Sequence, residues 1–217
     1  MSNEADREKR LVALSSIAAA VFLTTIKFIA GLLTGSLGIL SEAAHSLLDL
    51  VAAVITFFAV RVSSRPADRE HQFGHAKFEN LSALFETVLL LVTCVWIIYE
   101  AVERLFFVEA EIKPSAWAFV VMGLSIIIDL SRSRALYRVA RKYDSQALEA
   151  DALHFSTDVW SSSVVILGLI CVTLAPKLNI PWLVNADAIA ALIVAGIVIY
   201  VSLQLGGRTV SALTDSA

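Results

Sequence analysis

Six long apolar stretches follow one another along the chain, and short polar connections separate them. A helix that crosses a bilayer takes about 20 apolar residues, and each stretch is long enough to form one. The predicted spans cover residues 11–33, 37–62, 78–101, 114–136, 147–175 and 184–206. This pattern predicts an all-α membrane protein, built as a six-transmembrane-helix bundle.

The composition agrees with a protein that lies in a bilayer. Hydrophobic residues make up 58% of the 217 residues and charged residues only 17%, whereas a soluble domain has about 45–50% and about 25%. This apolar content excludes a disordered chain, and 2 cysteines exclude a disulfide scaffold. A net charge of −3 argues against a nucleic-acid partner. We therefore expect a multi-pass integral membrane protein.

Basic residues are distributed unevenly among the connections. They are frequent before the first span, between spans two and three, and between spans four and five, whereas the opposite side has only Arg104, Lys113 and Lys177. The positive-inside rule then places both termini in the cytoplasm. The sequence thus predicts a cytoplasmic tail over residues 1–10 and a membrane domain over residues 11–217, in the inner or plasma membrane if the source is bacterial.

Several ionisable residues lie inside the predicted spans. A charge at the centre of a bilayer costs at least about 2.5–3.5 kcal/mol, so such residues are candidates for function. They are Lys27, Glu42, His45, Asp49, Glu86, Asp129, Asp151, His154, Asp158 and Asp187. For most of these residues there is an alternative to a functional role: they could be packing partners or cavity-lining groups, and Asp187 could be a helix-end residue.

A His-x-x-x-Asp pattern occurs in two of the spans, as His45–Asp49 in the second and His154–Asp158 in the fifth. Residues four apart share one face of a helix, so each pair presents an imidazole and a carboxylate together. Two such faces would supply the ligands of a tetrahedral divalent ion, with zinc the first choice. The alternative is that the pairs only make hydrogen bonds between helices. These four residues are called the intramembrane quartet below.

The charge of this quartet predicts an exchange of metal for protons. Two aspartates carry the two negative charges that a divalent cation balances. In the absence of metal, two carboxylates in a low dielectric favour their protonated form, and histidine is the side chain most easily protonated near neutral pH. Metal binding then releases the protons. The quartet therefore has the minimal chemistry of a metal–proton antiporter.

A second group of ligand-type residues lies in the connection between spans two and three. Asp68, His71 and His75 follow one another at helical spacing within PADREHQFGHAKFEN. They could hold a cytoplasmic metal ion through three ligands with one open position. The alternative is an ordinary solvated polar loop. These three residues are called the loop cluster below.

Four stretches of the chain resemble the cation diffusion facilitator family. They are SLGILSEAAHSLLD, HQFGHAKFENL, ALEADALHFSTDVWSS and NADAIAALIVAGIVIY, and their order and spacing cover nearly the whole chain. The resemblance implies a six-span metal–proton antiporter, usually a homodimer, that exports zinc or related divalent ions by alternating access. It also implies that the intramembrane quartet is the transport site, that the loop cluster is a cytoplasmic site, and that Lys77 forms a salt bridge with Asp215.

The chain departs from the family pattern at two places. Many bacterial members have aspartate where this chain has His45, and the resulting two-histidine, two-aspartate set favours zinc or cobalt over manganese. Cadmium and iron are further candidate substrates. Typical members also continue into a cytoplasmic metal-binding domain, whereas this sequence stops at Ala217. We therefore expect that domain to be absent, and with it part of the usual dimer interface.

The leading hypothesis is zinc export by proton antiport, with zinc as substrate and protons as counter-substrate. An enzyme is not expected, because four protein ligands leave no open metal position and no nucleophile motif is present. A passive channel is disfavoured, because a closed tetrahedral site binds too tightly for conduction. The alternative function is a metal-sensing or scaffolding membrane protein that does not transport.

Overall fold

The computed structural model describes residues 2–34, 37–72, 74–106, 116–178 and 186–214. These residues form six α-helices and, within those ranges, no strand. The helices are α1 (Ser2–Thr34), α2 (Leu37–Ser63), α3 (Lys77–Phe106), α4 (Ala116–Tyr143), α5 (Gln146–Leu178) and α6 (Ala186–Leu213). The prediction of an all-α protein is confirmed.

Over the described residues each predicted span lies on one of these helices, but several helices are longer than the apolar stretch that predicted them. α1 begins at Ser2, ahead of the predicted start at residue 11, and α4 continues to Tyr143, beyond residue 136. The added turns are rich in glutamate, arginine, lysine and alanine, which favour helix without requiring an apolar environment. Hydropathy therefore located the helices and underestimated their length.

Four helices are long and apolar enough, over the described residues, to cross a bilayer. The corresponding segments are Glu4–Leu33, Ala43–Ser63, Lys77–Glu103 and Ala191–Leu213. Large apolar side chains such as Leu33, Trp96 and Tyr200 are exposed on the outside of the bundle, as expected for a surface that faces lipid. The count of six spans and the cytoplasmic termini stay predictions.

The helices associate mainly as three pairs, α1 with α2, α3 with α6, and α4 with α5. α1 also packs on α4, and α5 contacts α2, α3 and α6, so α5 lies at the centre of the bundle. The largest buried cluster joins α1, α2, α4 and α5 around Val60, Leu136, Leu148 and Phe155. This packing turns the two helices with a His-x-x-x-Asp pattern, α2 and α5, toward each other.

Candidate metal centres

The intramembrane quartet forms one cluster between α2 and α5. The imidazole Nε2 of His154 lies 3.1 Å from Oδ1 of Asp49 and 3.8 Å from Oδ2 of Asp158. The Nε2 atom of His45 lies 3.6 Å from Oδ1 of Asp158 and 3.8 Å from Oδ1 of Asp49. Two imidazoles and two carboxylates, predicted from two separate motifs, therefore converge.

These distances fit a shared divalent ion. Ligands about 2.0–2.1 Å from a tetrahedral zinc ion lie about 3.3–3.5 Å from one another, and the four separations above bracket that range. One ligand atom each from His45, Asp49 and Asp158 also falls within 4.8 Å of the others. His154 is not part of this three-residue group, although its Nε2 lies 3.1 Å from Oδ1 of Asp49.

The quartet is buried on one side and accessible on the other. His154 is 1% exposed, whereas 37% of the His45 side chain is exposed. Within the described part of the chain, Oδ2 of Asp158 and Nδ1 of His154 are buried without a hydrogen-bond partner. Burying polar atoms in this state is costly, and a metal ion bound at Oδ2 of Asp158 would remove that cost for this oxygen.

Asp129 and Lys27 have partners inside the bundle. Asp129 forms an ion pair with Arg132, whose Nη1 lies 3.1 Å from Oδ1 of the aspartate. Arg132 also donates from Nη2 to Oγ of Ser16 at 3.0 Å and covers the ring of Phe155. Lys27 donates from Nζ to Oγ of Ser46 at 2.8 Å. The ion pair with Arg132, which itself packs on Phe155, supports a packing role for Asp129.

Glu86 and Asp151 are two further buried carboxylates, on α3 and α5, and both side chains are fully shielded from solvent. Oε1 of Glu86 accepts a hydrogen bond from Oγ1 of Thr56 at 2.7 Å, and Oδ2 of Asp151 is 3.5 Å from Oγ of Ser16. The second oxygen of each carboxylate has no partner among the described residues. The side chains of Glu42 and Asp187, also singled out from the sequence, lie outside the described set.

The loop cluster is brought together by the connection between α2 and α3. Oδ1 of Asp68 lies 3.4 Å from Nδ1 of His71, and its Oδ2 lies 3.4 Å from Nε2 of His75. The two imidazole rings are 4.5 Å apart at their centroids, and His75 stacks on Phe78. One ligand atom from each residue falls within 4.8 Å of the others. The geometry therefore provides a compact three-ligand group.

A turn of the backbone holds the loop cluster in shape. The backbone N–H groups of His71 and Glu70 donate to Oδ1 of Asp68 at 2.6 and 3.0 Å. These hydrogen bonds hold the pKa of the Asp68 carboxyl below its ordinary value, because they stabilise the carboxylate. Gly74 follows with a φ of 84°, a conformation that favours glycine. Asp68 is thus ionised near neutral pH and oriented toward both histidines.

The predicted salt bridge between Lys77 and Asp215 falls partly outside the described residues, since Asp215 lies beyond them. Nζ of Lys77 donates to the backbone carbonyl of Leu213 at 3.1 Å. This hydrogen bond joins the beginning of α3 to the end of α6, two residues before Asp215.

Glu79 was not identified from the sequence as a site residue, yet it joins four parts of the fold. Oε1 accepts hydrogen bonds from Nζ of Lys9 on α1 at 2.9 Å and from Oγ of Ser63 on α2 at 2.8 Å. Oε2 accepts a hydrogen bond from Ser145, in the connection between α4 and α5. The partners lie up to 70 residues away in the chain, so no local pattern could have indicated this role.

A bundle of long apolar helices in which imidazoles and carboxylates lie close together is typical of a membrane protein that handles metal cations. Residues 13–214 match the cation efflux transmembrane domain, and the chain belongs to that family. It is a family of transporters rather than enzymes, so the predictions of a non-enzymatic, multi-pass membrane protein of the cation diffusion facilitator type are confirmed.

Similar proteins carry transport names. An uncharacterized transporter of Methanocaldococcus jannaschii is 34% identical over 211 residues, which are 97% of this chain and 72% of the relative. The cation-efflux pump FieF of Yersinia enterocolitica is 32% identical over 96% of this chain and 67% of the relative. The FieF pump of Shewanella oneidensis is 29% identical over 95% of this chain and 67% of the relative. The chain spans about two thirds of the length of these FieF pumps. Its membership of the cation efflux family makes it a divalent-cation exporter.

Proposed function

We propose that this protein exports zinc from the cytoplasm in exchange for protons, by alternating access at the intramembrane quartet. The single observation that carries this proposal is the convergence of His45, Asp49, His154 and Asp158 between α2 and α5, at separations of 3.1–3.8 Å. The two aspartates of the quartet carry two negative charges, which equal the charge of one divalent cation.

The donor set supports zinc as the substrate. Two imidazoles and two carboxylates suit an ion of borderline softness that accepts tetrahedral geometry. Manganese prefers oxygen ligands and a higher coordination number, so His45 and His154 disfavour it. Cobalt, cadmium and iron share enough of zinc's coordination chemistry to be secondary substrates.

Proton antiport follows from the same four side chains. Metal binding requires deprotonated ligands, so zinc and protons compete for the quartet. In the inward-facing state the quartet binds zinc from the cytoplasm, and the neutralised site permits the helices to reorient. In the outward-facing state protons displace zinc, and the protonated site returns. Binding near the middle of the bilayer followed by rigid-body rocking is a common transporter mechanism.

The remaining parts of the proposal concern the surroundings of the transport site. Both termini lie in the cytoplasm, six helices span the bilayer, and the loop cluster binds a second metal ion on the cytoplasmic side. Lys77 pairs with Asp215 to fasten α3 to α6, a role that the hydrogen bond from Lys77 to Leu213 supports. The working unit is a homodimer.

The test is zinc flux in sealed proteoliposomes, with an entrapped zinc indicator and a pH dye read together. Zinc uptake accompanied by proton movement in the opposite direction is the expected result. Zinc flux without proton movement would contradict antiport and favour a uniporter or channel. Zinc binding without any flux would favour the metal-sensing or scaffolding alternative.

A further inference from the structure

A row of exposed arginines follows the apolar part of α4. Residues 130–143 contain no acidic residue. Their basic residues are Arg132, Arg134, Arg138, Arg141 and Lys142. Two of these five have carboxylate partners, since Arg132 is buried beside Asp129 and Lys142 lies 2.5 Å from Glu8 of α1. The other three, Arg134, Arg138 and Arg141, are exposed and are called the arginine face below.

The arginine face continues an apolar surface on the same side of α4. Residues three and four apart share a helix face, and positions 134, 138 and 141 have this spacing. Val120 and Ile127 lie on the same side, because they precede Arg134 by fourteen and seven residues, and their side chains are 60% and 68% exposed. One exposed surface of α4 therefore changes along its length from apolar to basic.

This change gives the depth at which α4 leaves the hydrocarbon, an inference that rests on the proposed six-span topology. Arg134 lies about 10 Å beyond Ile127 along the helix, and Arg141 lies about 10 Å further. The headgroup layer of one leaflet is about 5–8 Å thick, and long arginine side chains can extend toward it. With Ile127 in the hydrocarbon, the arginine face lies at the level of the headgroups.

Arg141 is held in position by Tyr137, one turn earlier on α4. Nε and Nη2 of the guanidinium donate to the phenol oxygen at 2.8 and 2.6 Å. Tyr137 is 40% exposed, and tyrosine is frequent at bilayer interfaces. The third guanidinium nitrogen of Arg141 can therefore donate to a ligand while the side chain stays ordered. Arg134 and Arg138 make no ion pair with any described residue.

We propose that the arginine face binds the headgroup of an anionic phospholipid. Guanidinium groups match the oxygens of a phosphate with paired N–H donors, and basic residues just outside a membrane span attract anionic lipids. The acyl chains of the same lipid would cover the exposed surface around Val120 and Ile127. A soluble phosphate would use the same donors and gain nothing from that apolar surface, so the continuity of the two surfaces favours a lipid.

The experiment is a titration of the purified full chain in detergent with phosphatidylglycerol, with bound lipid counted by native mass spectrometry. Phosphatidylcholine with the same acyl chains tests the need for a negative headgroup, and inorganic phosphate is added as a soluble competitor. The test variant combines Arg134→Gln with Arg138→Gln, and a conservative variant combines Arg134→Lys with Arg138→Lys. The control combines Arg61→Gln with Arg65→Gln, which removes two other exposed basic residues, also four apart.

We expect the parent protein to bind phosphatidylglycerol at least about tenfold more tightly than phosphatidylcholine. A basic residue near the membrane surface contributes about fivefold to the affinity for anionic lipid. The double glutamine variant should therefore bind phosphatidylglycerol about 25-fold more weakly. The double lysine variant keeps the charge, and the control keeps the arginine face, so both should stay within about threefold of the parent.

Four results would overturn the proposal. Equal affinity of the parent for the two lipids would remove the role of the headgroup charge, and an equal loss of affinity in the control would indicate diffuse charge rather than a site. Displacement of the lipid by millimolar phosphate would assign the face to a soluble anion. A lower molar mass of the double glutamine variant, measured by light scattering, would assign it to a contact between copies of the chain. The titration contains no zinc, so its outcome is independent of transport at the quartet.

Discussion

His154 of α5 and Asp49 of α2 face each other across the centre of the bundle, with Nε2 of the imidazole 3.1 Å from Oδ1 of the carboxylate. The reciprocal pair, His45 and Asp158, is 3.6 Å apart. Both cross-helix distances are shorter than the 3.8 Å that separates histidine and aspartate within each motif. The cluster is therefore a property of the α2–α5 interface, and a small displacement of either helix changes both cross-helix distances.

Loss of either aspartate should abolish transport. In Asp49→Ala or Asp158→Ala, one anionic ligand is missing and the remaining charge no longer balances a divalent ion. We expect zinc flux in proteoliposomes to fall to the level of empty vesicles, while the protein still elutes as a folded species in detergent. The control is Asp144→Asn, which removes an exposed carboxyl from the α4–α5 connection and keeps a residue that tolerates its positive φ. Flux close to the parent value in either alanine variant would contradict the site assignment.

His45→Asp should change metal selectivity rather than eliminate transport. The substitution replaces an imidazole by a third carboxylate, and this relaxes the preference for a compact tetrahedral ion. We expect cadmium to compete more effectively with zinc, with the ratio of inhibition constants moving toward cadmium by about tenfold. His71→Asp, in the loop cluster, is the matched control because it makes the same exchange outside the membrane site. Identical zinc–cadmium competition in His45→Asp and the parent would exclude His45 as a selectivity ligand.

The proposed transport site could be predicted from the sequence because charges in apolar stretches are rare and the i,i+4 spacing sets the helix face. The crosswise pairing of His154 with Asp49 could not be predicted, because it depends on how α2 and α5 pack, and the two residues are 105 positions apart. Glu79 was missed for the same reason. Helix ends were underestimated wherever charged residues such as Arg141 and Lys142 continue a helix beyond the apolar span.

The loop cluster should contribute one separate metal site. Asp68 is held by backbone N–H groups and contacts both histidines, so the three ligands are arranged before metal arrives. We expect His75→Ala to reduce the number of zinc ions bound per chain by one, measured by equilibrium dialysis with elemental analysis. Gln72→Ala, between the two histidines in the chain, is the control and should leave the stoichiometry unchanged. An unchanged stoichiometry in His75→Ala would show that the loop is only a polar turn.

Glu79→Gln should destabilise the protein. The carboxylate accepts hydrogen bonds from Lys9, Ser63 and Ser145, and a bond to a charged group is about 1 kcal/mol stronger than a neutral one. We therefore expect a loss of about 3 kcal/mol, seen as a lower midpoint of thermal unfolding in detergent. Glu70→Gln makes the same change at an exposed loop position and should leave the midpoint unchanged. Equal midpoints in Glu79→Gln and the parent would show that these contacts do not hold the helix ends together.

Gly31→Ala should separate α1 from α2, whereas the same substitution at Gly196 should be harmless. A Cβ atom at Gly31 would lie 2.7 Å from the side chain of Leu40 and 3.2 Å from its backbone nitrogen, so the backbone itself must move. Overpacking of this kind costs about 1–3 kcal/mol, and it would also disturb the contact between Lys27 and Ser46. A Cβ atom at Gly196 meets nothing within 4 Å, and alanine there favours the helix. We expect a lower unfolding midpoint and weaker zinc flux for Gly31→Ala only, and equal behaviour of the two variants would contradict the close approach of α1 and α2.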